Sequence, residues 1–148
     1  MSGVLNVTPY LIARHAAEAI AFYKTAFGAE EIFRMTDPID GRVGHAELRF
    51  GASTVMLADE YPDFGALSPD TIGGCSVTMH LATTSVDADL MRASKAGAMV
   101  LRAAANQSFG ERNAVMVDPF GHRWMLSQTI EPITSDEMQR RWNEETGA

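Results

Sequence analysis

Cysteine occurs once in the 148 residues, at Cys75. An intrachain disulfide and any zinc site built from several thiolates are therefore excluded, which agrees with a reducing compartment. Lysine is nearly absent, and the 12 basic residues are outnumbered by 19 acidic ones, for a formal charge of -7. The arginines are scattered along the chain, so the sequence is not expected to bind nucleic acid. Long apolar runs are missing as well: the longest, Ala96 to Leu101, falls far below the roughly 20 residues of a membrane helix. The opening Met1-Ser2-Gly3-Val4 has no basic segment leading into a signal sequence. A soluble, cytoplasmic protein with no membrane partner is the expectation. What is abundant is apolar content, 46% against 21% charged, enough for one compact domain or two fused half-domains. Nine methionines make up an unusually large share of it.

Punctuation divides the chain into two halves and a tail. Val4 to Ala13 reads as a strand with Pro9 near its start. Ala16, Ile20, Tyr23 and Phe27 then recur at helical spacing, with Gly28 as the stop. Three short β-like runs follow, Glu30 to Thr36, Val43 to Phe50 and Ser53 to Asp59, separated by Asp37-Pro38-Ile39-Asp40-Gly41 and by Gly51. The stretch from 61 to 74 is rich in Pro and Gly and reads as a linker. The second half, from about 75 to 129, repeats the order β-α-β-β-β: strand Cys75 to Thr83, a helix capped by Ser85 or Asp87 and stopped by Gly97, then strands near Ala98 to Ala104, Arg112 to Asp118 and His122 to Thr129. Phe27-Gly28-Ala29 matches Ala96-Gly97-Ala98 at an offset of 69, and Met56-Leu57 matches Met125-Leu126 at the same offset. Asp118-Pro119-Phe120-Gly121 has the residue placement of a type I turn. Thr134-Ser135-Asp136-Glu137 starts a C-terminal helix that runs to about Glu145.

Two fused β-α-β-β-β modules, the Phe22-Tyr23 pair on the first helix, His45-Ala46-Glu47 in the third strand, and Asp118-Pro119-Phe120-Gly121-His122 before the last strand resemble the vicinal oxygen chelate superfamily. Within it the chain is most similar to the PhnB-like branch of the glyoxalase and bleomycin-resistance proteins. The resemblance implies an α+β fold of two curved mixed sheets around a cleft, with a C-terminal helix, working as a homodimer. It does not select a reaction, because this architecture carries isomerases, dioxygenases, transferases and drug-binding proteins. The family's metal enzymes hold a divalent ion on the first and last strand of each module, commonly with two His and two Glu. Carried over, those positions fall on Thr8, Met56, Met79 and Met125. Thioethers are soft neutral donors that do not suit such ions, so the resemblance with these substitutions implies no metal cofactor. A one-residue slip would turn every side chain to the other face and bring in His80, the neighbour of Met79. With His45 and Glu47 it would restore a site for Zn, Ni, Mn or Fe.

His45, Glu47 and Arg49 alternate with Ala46, Leu48 and Phe50 and are expected on one face of their strand. Glu47 beside a histidine is the candidate general base and catalytic residue. Thr8, His45, Glu47, Arg49, Met56, Met79 and Met125 are the expected ligand-binding set, with Val55, Leu57, Trp124 and Leu126 on the opposite faces. His15 and His122, at a helix start and a strand start, read as structural or exposed. Arg112 and Arg123 flank the last hairpin and offer charge to an anionic ligand. Cys75 reads as a small apolar residue, not a nucleophile. The first functional hypothesis is a protein that binds a small, partly apolar organic molecule without a metal, with or without turnover. The second is a metal-dependent lyase, isomerase or dioxygenase using His80, His45 and Glu47, the ion acting as Lewis acid. A third, an interaction module, predicts a cleft filled by its own side chains.

Overall fold

The first half of the chain forms a helix because its apolar residues fall on one stripe. In the computed structural model, which describes residues 3–147, α1 (Ala16–Phe27) buries Ala16, Ala19, Ile20, Tyr23 and Ala26 and ends on Gly28 at φ 67, a conformation that costs glycine nothing. Its buried stripe lies on a four-stranded mixed sheet of β1 (Tyr10–Ala13), β4 (Ser53–Asp59), β3 (Val43–Phe50) and β2 (Glu30–Thr36), in that order. β1 runs parallel to β4, and the other neighbours are antiparallel. Leu11, Leu57 and Ala46 form one row of the helix-facing side and are buried. Burial of side chains such as Ile20, Leu48 and Leu57 contributes about 1.5–3 kcal/mol each. Phe22, Tyr23, Phe27, Phe50 and Phe120 close one end of this core, with ring centroids 5.5 to 6.3 Å apart.

The strand expected from Val4 begins only at Tyr10. Pro9 has no N–H to donate; its carbonyl accepts from Met56 N at 2.9 Å, and Val4, Leu5 and Val7 before it are exposed. Helix α1 also starts in an unusual way. His15 sits at φ 64 and makes no side-chain cap. The cap comes from Asp59 at the end of β4, whose carboxylate accepts from Ala16 N at 2.8 Å and from Val43 N at 2.7 Å. One side chain thus joins the starts of α1 and β3 to the end of β4. The expected linker holds a 3-10 turn, Pro62–Phe64, and a single helical turn, α2 (Pro69–Ile72), capped by Ser68.

The chain separates into two compact units: the first runs to Ser76 and includes Pro119–His122, and the second holds Val77–Asp118 and everything from Arg123. The second unit repeats the strand order with β5 (Thr78–Ala82), β8 (Arg123–Thr129), β7 (Glu111–Val117) and β6 (Met99–Asn106), the first pair again parallel. α3 (Val86–Ala96) is capped by Ser85, which accepts from Ala88 N. It lies on the side of Ala114, Met116, Trp124 and Leu126, all buried. Two residues in phase with these hold it there: Gln128 Oε1 accepts from Val86 N, and Arg112 pairs with Asp87 through two bonds of 2.9 and 3.0 Å. Trp124 donates its indole N–H to the buried Asp118 at 2.9 Å. α4 (Ser135–Thr146), capped by Thr134, is tied back by Arg141, which reaches Glu131, Glu137 and the Ser108 carbonyl. The architecture is α+β, two mixed four-stranded sheets with helices and a C-terminal helix. Among the described residues no helix is long and apolar enough to cross a membrane.

Candidate functional site

Strand pairing places side chains in rows, because directly opposed residues share a face. In the first unit Tyr10 pairs with Met56, Met56 with Glu47, and Glu47 with Phe33, one continuous row on the face turned away from α1. His45, two residues from Glu47, shares that face and pairs with Met35. Arg49 pairs with Thr54 and Glu30 further along, and its ion pair with Glu30 is exposed at 3.6 Å. His45, Glu47, Arg49 and Met56 are therefore together, as their alternation predicted. Thr8 is half-buried, lies before β1 and is not a strand residue. The neighbour of Met56 is Tyr10, which shares Thr8's alternating phase and which sequence reasoning passed over.

Tyr10, His45 and Glu47 form a hydrogen-bonded chain. The tyrosine oxygen is 2.6 Å from His45 Nδ1, and His45 Nε2 is 3.0 Å from Glu47 Oε2. A carboxylate only accepts, so Nε2 carries a hydrogen; in the neutral ring Nδ1 then accepts from the Tyr10 hydroxyl. Burial, and then the negative charge of Glu47, hold the Tyr10 hydroxyl above its usual pKa, so it stays a phenol. The His45 ring lies between those of Tyr10 and Phe33, at 5.3 and 5.6 Å. Beside Tyr10 opens a pocket of about 340 Å³ whose walls include Ile12, Ala58, Tyr61 and Phe64. Tyr61 is fixed there: its hydroxyl donates to Asp37 at 3.1 Å, and the Arg42 guanidinium stacks 3.8 Å from its ring centre. Apolar walls with one polar edge suit a small organic molecule.

In the second unit the rows correct the expected set. Met79 pairs with Trp124, on the α3 side, while His80 pairs with Met125. Met79 therefore does not share a face with Met125. Period two within a strand was right, but the register between β5 and β8 is set by backbone pairing across 45 residues of sequence, which alternation does not reveal. Met116 is fully buried, and Met35, Met91, Met99 and Met138 are exposed, so the methionine surplus is spread over both faces and the surface. His122 is buried and bonds the Ile12 carbonyl at 2.9 Å through Nε2; His15 is exposed at its helix start. Arg112 is committed to Asp87, Arg123 is exposed, and Cys75, the single cysteine, is half-buried.

The positions that would carry a metal on the first and last strand of each sheet hold Tyr10 beside Met56 and His80 beside Met125. In neither unit does that pair of side chains include a carboxylate, the anionic donor that a hard divalent ion prefers. Among the described residues no group of three or more His, Cys, Asp or Glu side chains is placed to hold a metal ion.

Comparison with known proteins agrees with this architecture. Residues 5–126 match the model of the Glyoxalase/Bleomycin resistance protein/Dioxygenase superfamily. An uncharacterized protein of Mycobacterium tuberculosis is 43% identical over 136 residues, covering 90% of this chain and 79% of its own. The crystal structure of an Arabidopsis thaliana gene product superposes with a TM-score of 0.69 at 26% identity, covering 84% of this chain and 99% of that one. A PhnB protein from Bacillus cereus superposes with a TM-score of 0.66 at 18% identity, covering 84% and 99%; that likeness is one of fold. With two β-α-β-β-β units in the same strand order and a family match over most of its length, the chain belongs to the Glyoxalase/Bleomycin resistance protein/Dioxygenase superfamily.

Proposed function

We propose that this protein binds a small, partly apolar organic molecule against the first sheet, without a metal ion. The observation that carries the reading is the Tyr10–His45–Glu47 chain at the edge of a pocket walled by Tyr61 and Phe64. Tyr10 offers the ligand its phenolic oxygen as an acceptor, its proton being given to Nδ1 of His45. Glu47, expected from the sequence to be the base, is engaged by Nε2 of His45 and acts through that ring, fixing its tautomer. Met56, between Tyr10 and Glu47 in the row, adds a soft apolar contact. The exposed Val4, Leu5, Phe33 and Met35 support a homodimer in which these side chains are covered; light scattering after gel filtration tests it. A cytoplasmic location is the companion expectation, read by cell fractionation.

The test is a thermal-shift screen of aromatic and drug-like compounds on protein stripped with chelator, followed by calorimetry of the hits. Binding in the absence of metal, weakened roughly two- to tenfold in Tyr10→Phe, is the expected result, since one hydrogen bond to a ligand contributes about 0.5–1.5 kcal/mol. The metal reading draws on the imidazole of His80 beside Met125. Stoichiometric Zn, Ni, Mn or Fe that is lost in His80→Ala, with binding only in its presence, overturns the proposal in favour of that reading.

A further inference from the structure

On the second sheet, the face turned away from α3 carries a polar group that folding leaves unmet. Ser127 pairs with Asn113 and Ala82, and Asn113 pairs with Ala105, forming one row. Ser127 is 4% exposed and Asn113 1%. The Ser127 hydroxyl is buried with no hydrogen-bond partner among the described residues. Native proteins seldom leave such an atom unsatisfied, and a hydroxyl can both donate and accept. The next row is His80, Met125, Val115 and Arg102. Arg102 donates from Nη2 to Asn113 Oδ1 at 2.9 Å. Because a guanidinium only donates, this bond fixes the amide with its oxygen toward Arg102 and leaves the amide hydrogens as donors. Arg102 forms no ion pair among the described residues. The neighbouring groups are thus a guanidinium, a primary amide turned as a donor and a hydroxyl. Glu111, paired with Thr129 at the far end of β7, is the only carboxylate these strands carry on that face; His80 and Arg123 share it.

We propose that Arg102, Asn113 and Ser127 form a binding site for the oxyanion of a small organic acid, a carboxylate or phosphoryl group, whose apolar part lies along the half-buried Met125. A planar fork of N–H donors recognises two oxygens at once, and a buried amide and hydroxyl favour an acceptor over a cation. The chain as a whole repels anions, with a formal charge of -7, so selectivity rests on this local cluster of donors. The site lies wholly within the second unit and uses none of the residues on which the proposed function rests. Either can fail without the other.

The experiment is a titration of the isotope-labelled full-length chain with benzoate, phenylphosphonate and the neutral benzamide, following the Arg102 Nε–H and Asn113 side-chain amide signals. Saturable shifts of both signals with benzoate or phenylphosphonate, and none with benzamide, are expected. Arg102→Gln weakens the affinity at least tenfold and Ser127→Ala several-fold, while Lys95→Gln, on the exposed last turn of α3, stays within twofold. If Arg102→Gln does not fold, Arg102→Lys, which keeps the charge and loses the fork, is expected to weaken binding several-fold with a native spectrum. Equal shifts with acid and amide, no saturable shift with any probe, or full affinity in Arg102→Lys and Ser127→Ala overturn the proposal.

Discussion

Asp59 offers the sharpest test of how this sheet presents its polar row. Its two oxygens accept from Ala16 N at 2.8 Å and Val43 N at 2.7 Å, and both amides belong to fully or nearly fully buried residues. Asp59→Ala therefore removes two charge-assisted hydrogen bonds and leaves two buried N–H groups without acceptors. Each such loss costs about 1.5–3 kcal/mol. Since Asp59 is itself only half-buried, the lower end applies, and the expected loss is about 3 kcal/mol. Asp59→Asn keeps the size and one acceptor oxygen and is expected to lose about half as much. Urea unfolding with linear extrapolation measures both variants, and hydrogen exchange at Ala16 and Val43 localises the effect. His45 lies two residues from Val43, so the His45–Tyr10 bond should loosen in the alanine variant. A loss below about 1 kcal/mol for Asp59→Ala, or unchanged exchange at both amides, would refute the assignment of Asp59 as the long-range cap.

The remaining predictions follow from steric fit, packing and charge. A Cβ on Gly110, at φ +86, would clash with the Glu131 carbonyl oxygen, so Gly110→Ala should lose at least about 3 kcal/mol, whereas Gly51→Ala, at φ +57 in open space, should lose only about 1–2 kcal/mol; paired denaturation curves compare them. Leu57→Ala empties a fully buried position under α1, and a loss of about 2–5 kcal/mol is expected by the same measurement. Hydrogen bonds from Arg34 and then Lys24 lower the Glu31 pKa from 4.5 to about 2. With the folded value depressed, its contribution is present above pH 4.5 and is lost as pH falls through about 2. Carboxyl NMR should find that low midpoint in the wild type and a higher one in Arg34→Gln; equal midpoints would contradict the pairing.

Local chemistry made much of this fold legible. The stripe of Ala16, Ile20 and Tyr23 with Gly28 behind it specifies α1, because burial at period 3.6 and a left-handed stop act within the segment itself. The same holds for β2, β3 and β4, whose observed bounds match the expected runs, and for Ser85 and Thr134, whose oxygens cap the helices that follow them. The alternation of His45, Glu47 and Arg49 against Ala46 and Leu48 also determined which residues share a face, since a strand turns each side chain half a revolution from the last. The repeat of Met56-Leu57 in Met125-Leu126 corresponds to two sheets of one strand order.

What the sequence could not settle was which strand positions stand side by side. Tyr10 rather than Thr8 meets Met56, and His80 rather than Met79 meets Met125, because parallel register is chosen by hydrogen bonds between segments about 45 residues apart. Pro9 trimmed the first strand through a donor it lacks, and Asp59 capped a helix 43 residues before it in the chain. That the Ser127 hydroxyl has no partner among the described residues is likewise invisible to periodicity, since it depends on what the neighbouring strands present. Sequence by itself determined the principal helices and strands, their order and which residues of one strand share a face, all properties of consecutive residues. Tertiary structure alone decided the registers, and with them the Tyr10–His45–Glu47 chain and the Arg102–Asn113–Ser127 cluster, because those depend on contacts that form only when distant segments pair.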